Sequence, residues 1–272
     1  MDHFRIRTHD TVKVIECVPL AEAGFINGFS TRLGGVSPFP AGALNLGYFS
    51  GDKPENVGEN RRRFLSALEL DQHKPLYHIV TAKQIHSAES HIVIEPEQTE
   101  HARVSCDALL TDQPYVLLGI QTADCLPVLI VDPVRRAIAG IHAGWRGTLA
   151  RIVERTLDRM QESFGSNATH CLAALGPAIG PCCFEVGPDV HKPFAAEFAY
   201  VERLFSRHQP NGKAYLDLPA ANREQLLNAG LASDNIFIWQ DCTRCHMENY
   251  FSYRGENHGG AVGRLLAVVG LA

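Results

Sequence analysis

Between residues 115 and 164 the chain carries three apolar runs followed by one amphipathic stripe, and that order leaves few ways to fold it. The runs 115–120, 128–131 and 137–142 are short and almost continuously apolar. Such runs suit strands that are covered on both faces. After them Leu149, Ile152, Val153, Leu157, Met160 and Phe164 recur at helical spacing. Thr148 is the candidate N-cap, and Arg151, Glu154, Arg155, Asp158 and Arg159 form the polar face. Segments 12–18 and Phe25–Ser30 read as further strands, and Leu265–Leu271 as a last core strand. Segment 57–70 reads as a helix on Val57, Phe64, Leu65 and Leu68, and 220–228 as another that stops at Gly230. Strands and helices intermix without regular βαβ alternation. This predicts an α+β fold, with helices covering mixed sheets, over a doubly wound parallel sheet.

Composition narrows the function classes. The net charge of -5 offers no broad attraction to nucleic acid. The cluster Arg61-Arg62-Arg63 is short and reads as mostly solvated charge on a helix. The longest apolar stretch, 116–131, is broken by Gln121, Asp124 and Pro127, so no membrane span is expected. Residues 1–10 are polar and lack the apolar core of a secretory signal. A cytoplasmic protein with its eight cysteines mostly reduced is therefore expected, and metal binding or catalysis outranks a disulfide framework.

Three short stretches offer metal-ligand chemistry: Lys83-Gln84-Ile85-His86, Thr122-Ala123-Asp124-Cys125 and His142-Ala143-Gly144-Trp145-Arg146-Gly147. Two imidazoles and a thiolate leave one position free on a tetrahedral ion, which is the catalytic rather than the structural arrangement. Each member also has an ordinary reading. Gln84 and His86 alternate as on one face of a strand, Cys125 can be a buried inert thiol, and His142 can pack in the core before a Gly-bearing turn. Thirteen histidines and eight cysteines allow hundreds of such triples, and spacing selects none. Asp124 can serve as a base, order a ligand or close a turn. A helix start after His142 would favour an anion, with Arg146 adding a bidentate charge.

Two further segments are weaker. Arg32 lies in the Gly-rich stretch before Asn45-Leu46-Gly47, which lacks the P-loop pattern. Cys242-Thr243-Arg244-Cys245-His246 matches covalent haem attachment, but that chemistry goes with export. Cys242 and Cys245 could instead form half a zinc knuckle. The other pair, Cys182-Cys183, has adjacent spacing poor for that role and reads as two ordinary thiols.

In order along the chain stand STRLGGVS, ALNLG, GDKPENVGENR, KQIHSA, CDALLTD, TADCLPVLIVD, HAGWRG, LGPAIGPCCFEVG, the CTRC segment and FSYR. Together they resemble the laccase-domain family, also called multicopper polyphenol oxidase-like, YfiH-type or peptidoglycan editing factor proteins. Its members are read as purine nucleoside phosphorylases with adenosine deaminase activity. The resemblance runs from about residue 25 to the C-terminus and implies one domain over 1–272, of two packed mixed sheets flanked by helices in four α/β/β/α layers. It implies zinc ligation by His86, Cys125 and His142, with copper as the alternative ion. It further implies a substrate and phosphate pocket including Arg32, Asn45, Gln84, Arg146 and Arg254. The chain departs from the family pattern after Arg254, where a second arginine is missing and Val262 stands in place of Thr.

The implied chemistry is phosphorolysis of adenosine, inosine, guanosine or methylthioadenosine, and deamination of adenosine by zinc-activated water. Cys125 and Asp124 are the catalytic candidates. The expected partners are nucleosides and phosphate, with the protein a monomer or weak homodimer. Two other enzyme readings stay open. A copper polyphenol oxidase is disfavoured because H-x-H pairs are absent and only Met160 and Met247 are available besides Met1. A peptidoglycan-precursor hydrolase would use Cys125 as nucleophile and His142 as base. A non-enzymatic metal-binding protein would hold zinc without turning over any nucleoside.

Overall fold

The computed structural model describes residues 3–48, 51–94, 104–256 and 261–272. Two six-stranded mixed sheets dominate it. The first has the strand order Phe4–His9, Val12–Cys17, Phe25–Ser30, Leu265–Leu271, Val116–Thr122, His78–Thr81. The second runs Ile236–Ile238, Leu172–Leu175, Leu126–Asp132, Ala137–Ala143, Ala108–Thr111, Ser90–Ile92.

Alternation along the strands builds the layers. Leu118, Ile120, Leu129, Val131, Ile138 and Val269 fill the space between the sheets. Leu117, Leu266 and Val268 point the other way, where they meet Phe64 of helix Pro54–Ala67. On the far side of the second sheet, Val128, Ile130, Ala139 and Ile141 pack with Ile152, Val153, Leu157 and Met160. The expected four α/β/β/α layers follow, and the apolar runs are continuous because both faces are covered. Gly140 faces the first sheet, where an added Cβ would stand 3.0 Å from Ile120 Cγ1.

The helix after His142 differs from the sequence reading. It begins at Trp145 rather than Thr148, runs only to Leu149, and resumes as Ile152–Phe164. Arg151 breaks it with a left-handed φ of 60°, and its guanidinium bonds Glu154 and Glu197. Thr148 is buried inside the first piece, its carbonyl accepting from Gln225 at 2.7 Å. Among Arg61, Arg62 and Arg63, only Arg61 is buried, donating to the Leu46 carbonyl and stacked on Tyr48. Among the described residues no helix is long and apolar enough to cross a membrane.

Candidate active site

The three proposed ligands come from three chain segments that the two sheets bring together. Cys125 lies in the turn that carries the chain from strand Val116–Thr122 in the first sheet to Leu126–Asp132 in the second. His142 is the penultimate residue of strand Ala137–Ala143. His86 lies beyond strand His78–Thr81, and the strand expected at 84–86 is absent: His86 has a left-handed φ of 59°. One donor atom from each of the three falls within 4.8 Å of the other two, and His86 Nε2 is 3.9 Å from Cys125 Sγ.

Asp107 holds this arrangement together. Its buried carboxylate accepts from three successive backbone N–H groups, those of Ile85 (3.2 Å), His86 (3.0 Å) and Ser87 (2.7 Å), and from the Ser87 hydroxyl (2.8 Å). Those bonds offset the strain of the left-handed residue. The same carboxylate accepts from His142 Nδ1 at 2.8 Å. With Nδ1 occupied, Nε2 of His142 is the ring nitrogen left available as a donor, the arrangement usual for a metal-binding imidazole. Asp107 stands in the CDALLTD motif, but nothing in sequence spacing marks it for this role.

Electrostatics separates Cys125 from its relatives. Burial alone would raise its thiol, but the charge of His142 and hydrogen bonds from His142 and His86 outweigh it and bring the thiol down to about 6. Burial lowers His142, yet Cys125 and Asp107 raise it to about 9. Burial works against ionised Asp107, and the His142 and Ser87 bonds still hold it down to about 2. By contrast, burial pushes Cys17, Cys106 and Cys171 up to about 12. A thiolate is the metal ligand and the nucleophile, so Cys125 alone of these four is prepared for either task. Two nitrogens and one sulfur with a carboxylate behind one imidazole fit a first-row divalent ion with a position free for another ligand.

His86, Cys125 and His142 line a cavity of about 720 Å³. Ile179, Phe184, Leu218 and Trp145 give it an apolar wall. Gln84 lines it, and its amide exchanges two bonds with the backbone of Gln121, at 2.7 and 2.8 Å. Arg146 and Arg254 also line it. Arg146 stacks on Trp145 with 4.2 Å to the ring centroid, and Arg254 donates to the Glu185 carbonyl at 2.9 Å. Arg264, not singled out as a pocket residue from sequence, is a third guanidinium on the wall. Burial lowers its pKa, and nearby Cys125, Tyr253 and Asp124 oppose that shift. Among the described residues none of the three has a carboxylate partner.

Two expected pocket residues stand elsewhere. Arg32 is buried and does not line the cavity. It donates to the Met247 carbonyl (2.7 Å) and to Glu256 (2.6 Å), clamping the C-terminal segment. Asn45 is also buried and off the cavity, accepting from the Arg264 N–H at 2.9 Å. Asn45 thus acts on the site through the backbone of Arg264. Asp124 borders the cavity, but its carboxylate accepts from the Thr243 hydroxyl and the Arg254 N–H, both at 2.6 Å. These bonds hold its own φ of 89° and so aim Cys125. Four residues of the segment after Arg254, 257–260, lie outside the described residues.

A family model described as multi-copper polyphenol oxidoreductase laccase matches residues 26–272. The chain belongs to this laccase-domain family. Purine nucleoside phosphorylase YfiH of Escherichia coli (strain K12) is 36% identical over 241 residues, covering 88% of this chain and 92% of that one. Adenosine deaminase RL5, from an unknown prokaryotic organism, is 34% identical over 243 residues, covering 86% and 91%. The crystal structure of Bacillus licheniformis hypothetical protein YfiH shares the laccase-domain fold, with a TM-score of 0.88 at 29% identity over 100% of both chains. The named relatives of this laccase-domain chain are enzymes.

Proposed function

We propose that the protein is a zinc-dependent purine nucleoside enzyme. It would phosphorolyse adenosine, inosine, guanosine and methylthioadenosine, and would deaminate adenosine. The observation that carries this reading is one cavity holding both a His/His/Cys donor set and three guanidiniums that have no carboxylate partner among the described residues. His86, Cys125 and His142 would hold the ion, which when bound supplies Lewis acidity and acidifies water. Asp107 fixes the His142 tautomer. The cationic wall of Arg146, Arg254 and Arg264 suits a phosphate, since guanidinium pairs with its oxygens bidentately. Phe184, Ile179 and Trp145 offer a purine an apolar surface.

In phosphorolysis a phosphate oxygen bonds to ribose C1′ while the C1′–N9 bond breaks, and its electron pair leaves with the purine. The arginines orient the phosphate and offset its charge. In deamination water adds at C6 and ammonia leaves. The relatives named as a phosphorylase and a deaminase support this pair of activities. The family's oxidase name keeps a copper reading in view. Blue-copper centres usually add an axial methionine, but Met160 is buried under the second sheet and Met247 is off the cavity wall. The same Cys125–His142 pair would serve a cysteine hydrolase, and such an enzyme would keep its activity after chelation.

The test incubates purified protein with adenosine or inosine, with and without phosphate, and separates the products by chromatography. Phosphate-dependent release of base and phosphate-independent formation of inosine are expected, both lost on chelation and in Cys125→Ala. Full activity and full zinc in Cys125→Ala would overturn the reading, as would turnover of phenols but not nucleosides.

A further inference from the structure

A second sulfur cluster lies outside this site. Cys182 and Cys183 follow the segment 176–181, and Cys242 and Cys245 lie about sixty residues further on. A parallel bridge between Ala178 and Cys242 brings the two segments together. One sulfur from each of the four cysteines then falls within 4.8 Å of the other three. Cys245 Sγ is 3.4 Å from both Cys182 Sγ and Cys183 Sγ. Adjacent spacing, poor for a knuckle on paper, works here because the turn at 181–183 aims both thiols at Cys245.

We infer that Cys182, Cys183, Cys242 and Cys245 form a closed, four-thiolate structural zinc site. In a tetrahedron with Zn–S bonds of about 2.3 Å the sulfurs stand about 3.8 Å apart, close to the spacing found. Neither short contact is a disulfide, whose sulfurs lie about 2.05 Å apart, and Cys245 is equidistant from two partners, so the geometry selects neither pair. The backbone is built around the sulfurs as well. Gly180 donates its N–H to Cys242 Sγ at 3.3 Å. A Cβ on Gly180 would stand 3.3 Å from Cys182 Sγ and 3.4 Å from Cys242 Cβ, so the close approach favours glycine. Among the described residues the cluster holds four sulfurs and no carboxylate or imidazole, a set that selects a soft tetrahedral ion, and four protein ligands leave no position for substrate.

The site would act as a staple. The segment on one side of it supplies Ile179 and Phe184 to the cavity wall. The segment on the other side supplies Thr243, whose hydroxyl holds Asp124, and leads to Arg254. Zinc here would lock the two walls together without touching the reaction.

Atomic spectroscopy on the untagged protein, purified without chelator, tests this directly. Two zinc ions per chain are expected in the wild type, one in Cys125→Ala, one in Cys245→Ser and none in the combined variant. In Cys125→Ala, the four clustered cysteines should resist alkylation until a chelator removes the remaining ion. This arm serves even if Cys245→Ser fails to fold. One ion in the wild type and none in Cys125→Ala would overturn the site. So would a chain two hydrogens lighter with Cys245 cross-linked to Cys182 or Cys183, or clustered cysteines that alkylate freely before chelation.

Discussion

Asp107→Asn removes one charge and leaves the shape, so it isolates what the carboxylate does. One Asp107 oxygen accepts from His86 N and His142 Nδ1, and the other from Ile85 N, Ser87 N and the Ser87 hydroxyl. An amide has one accepting oxygen. Turned to keep the three bonds, it sets its NH2 against the His86 N–H and the His142 ring. His142 then relieves the conflict by moving its proton to Nε2, which closes that atom to a metal. Loss of such a supporting partner costs about 10–100-fold in metal affinity, or about 1.4–2.7 kcal/mol. The His86 N–H left without an acceptor adds about 1–3 kcal/mol of lost stability. Zinc affinity is read by competition with a chromophoric chelator, and stability by urea unfolding of the metal-free protein. The stability gap has a sign in pH. Asp107 is held down to about 2 in the fold, below the unfolded value of about 3.9. Its contribution is therefore fully present above about pH 4 and fades as pH falls towards 2. A folded Asp107→Asn protein that binds zinc within threefold of the wild type would refute the reasoning.

Three other outcomes are expected. In metal-free protein, iodoacetamide should label Cys125 with a midpoint near pH 6, because its thiol is brought down to about 6 and the thiolate fraction grows as pH rises through that value; peptide mapping that finds a midpoint near 8.5 or above would contradict this. Gly144→Ala places a Cβ 3.1 Å from both Cys125 Sγ and His86 Cδ2, so overpacking of about 1–3 kcal/mol should weaken zinc binding about tenfold or more while backbone circular dichroism stays native. Arg146→Met, at an exposed position, should raise the KM for phosphate by about 10–100-fold, as loss of a charge-assisted bond of about 1.5–3 kcal/mol implies, and should spare adenosine deamination; an equal loss in both reactions would argue that Arg146 does not serve phosphate.

What the sequence carried was local burial. The apolar runs at 115–120, 128–131 and 137–142 became strands because both of their faces are covered, and the stripe from Ile152 to Met160 became the helix that covers one of them. The family motifs also named His86, Cys125 and His142, whose donor atoms the fold brings within 4.8 Å of one another. The break at Arg151 was not legible, for the guanidinium of this left-handed residue meets not only Glu154 nearby but also Glu197, far along the chain. Nor was the exchange of roles among polar residues. Arg32 and Asn45 read as pocket residues but clamp buried backbone, while Arg264 reaches the cavity and Asp107 sets the imidazole. Spacing along a chain encodes which face of a strand or helix is apolar. It does not encode which side chains meet when one chain crosses between two sheets, as at Cys125, or when a single bridge joins Ala178 to Cys242. Those meetings are non-local, and only the packed sheets decide them.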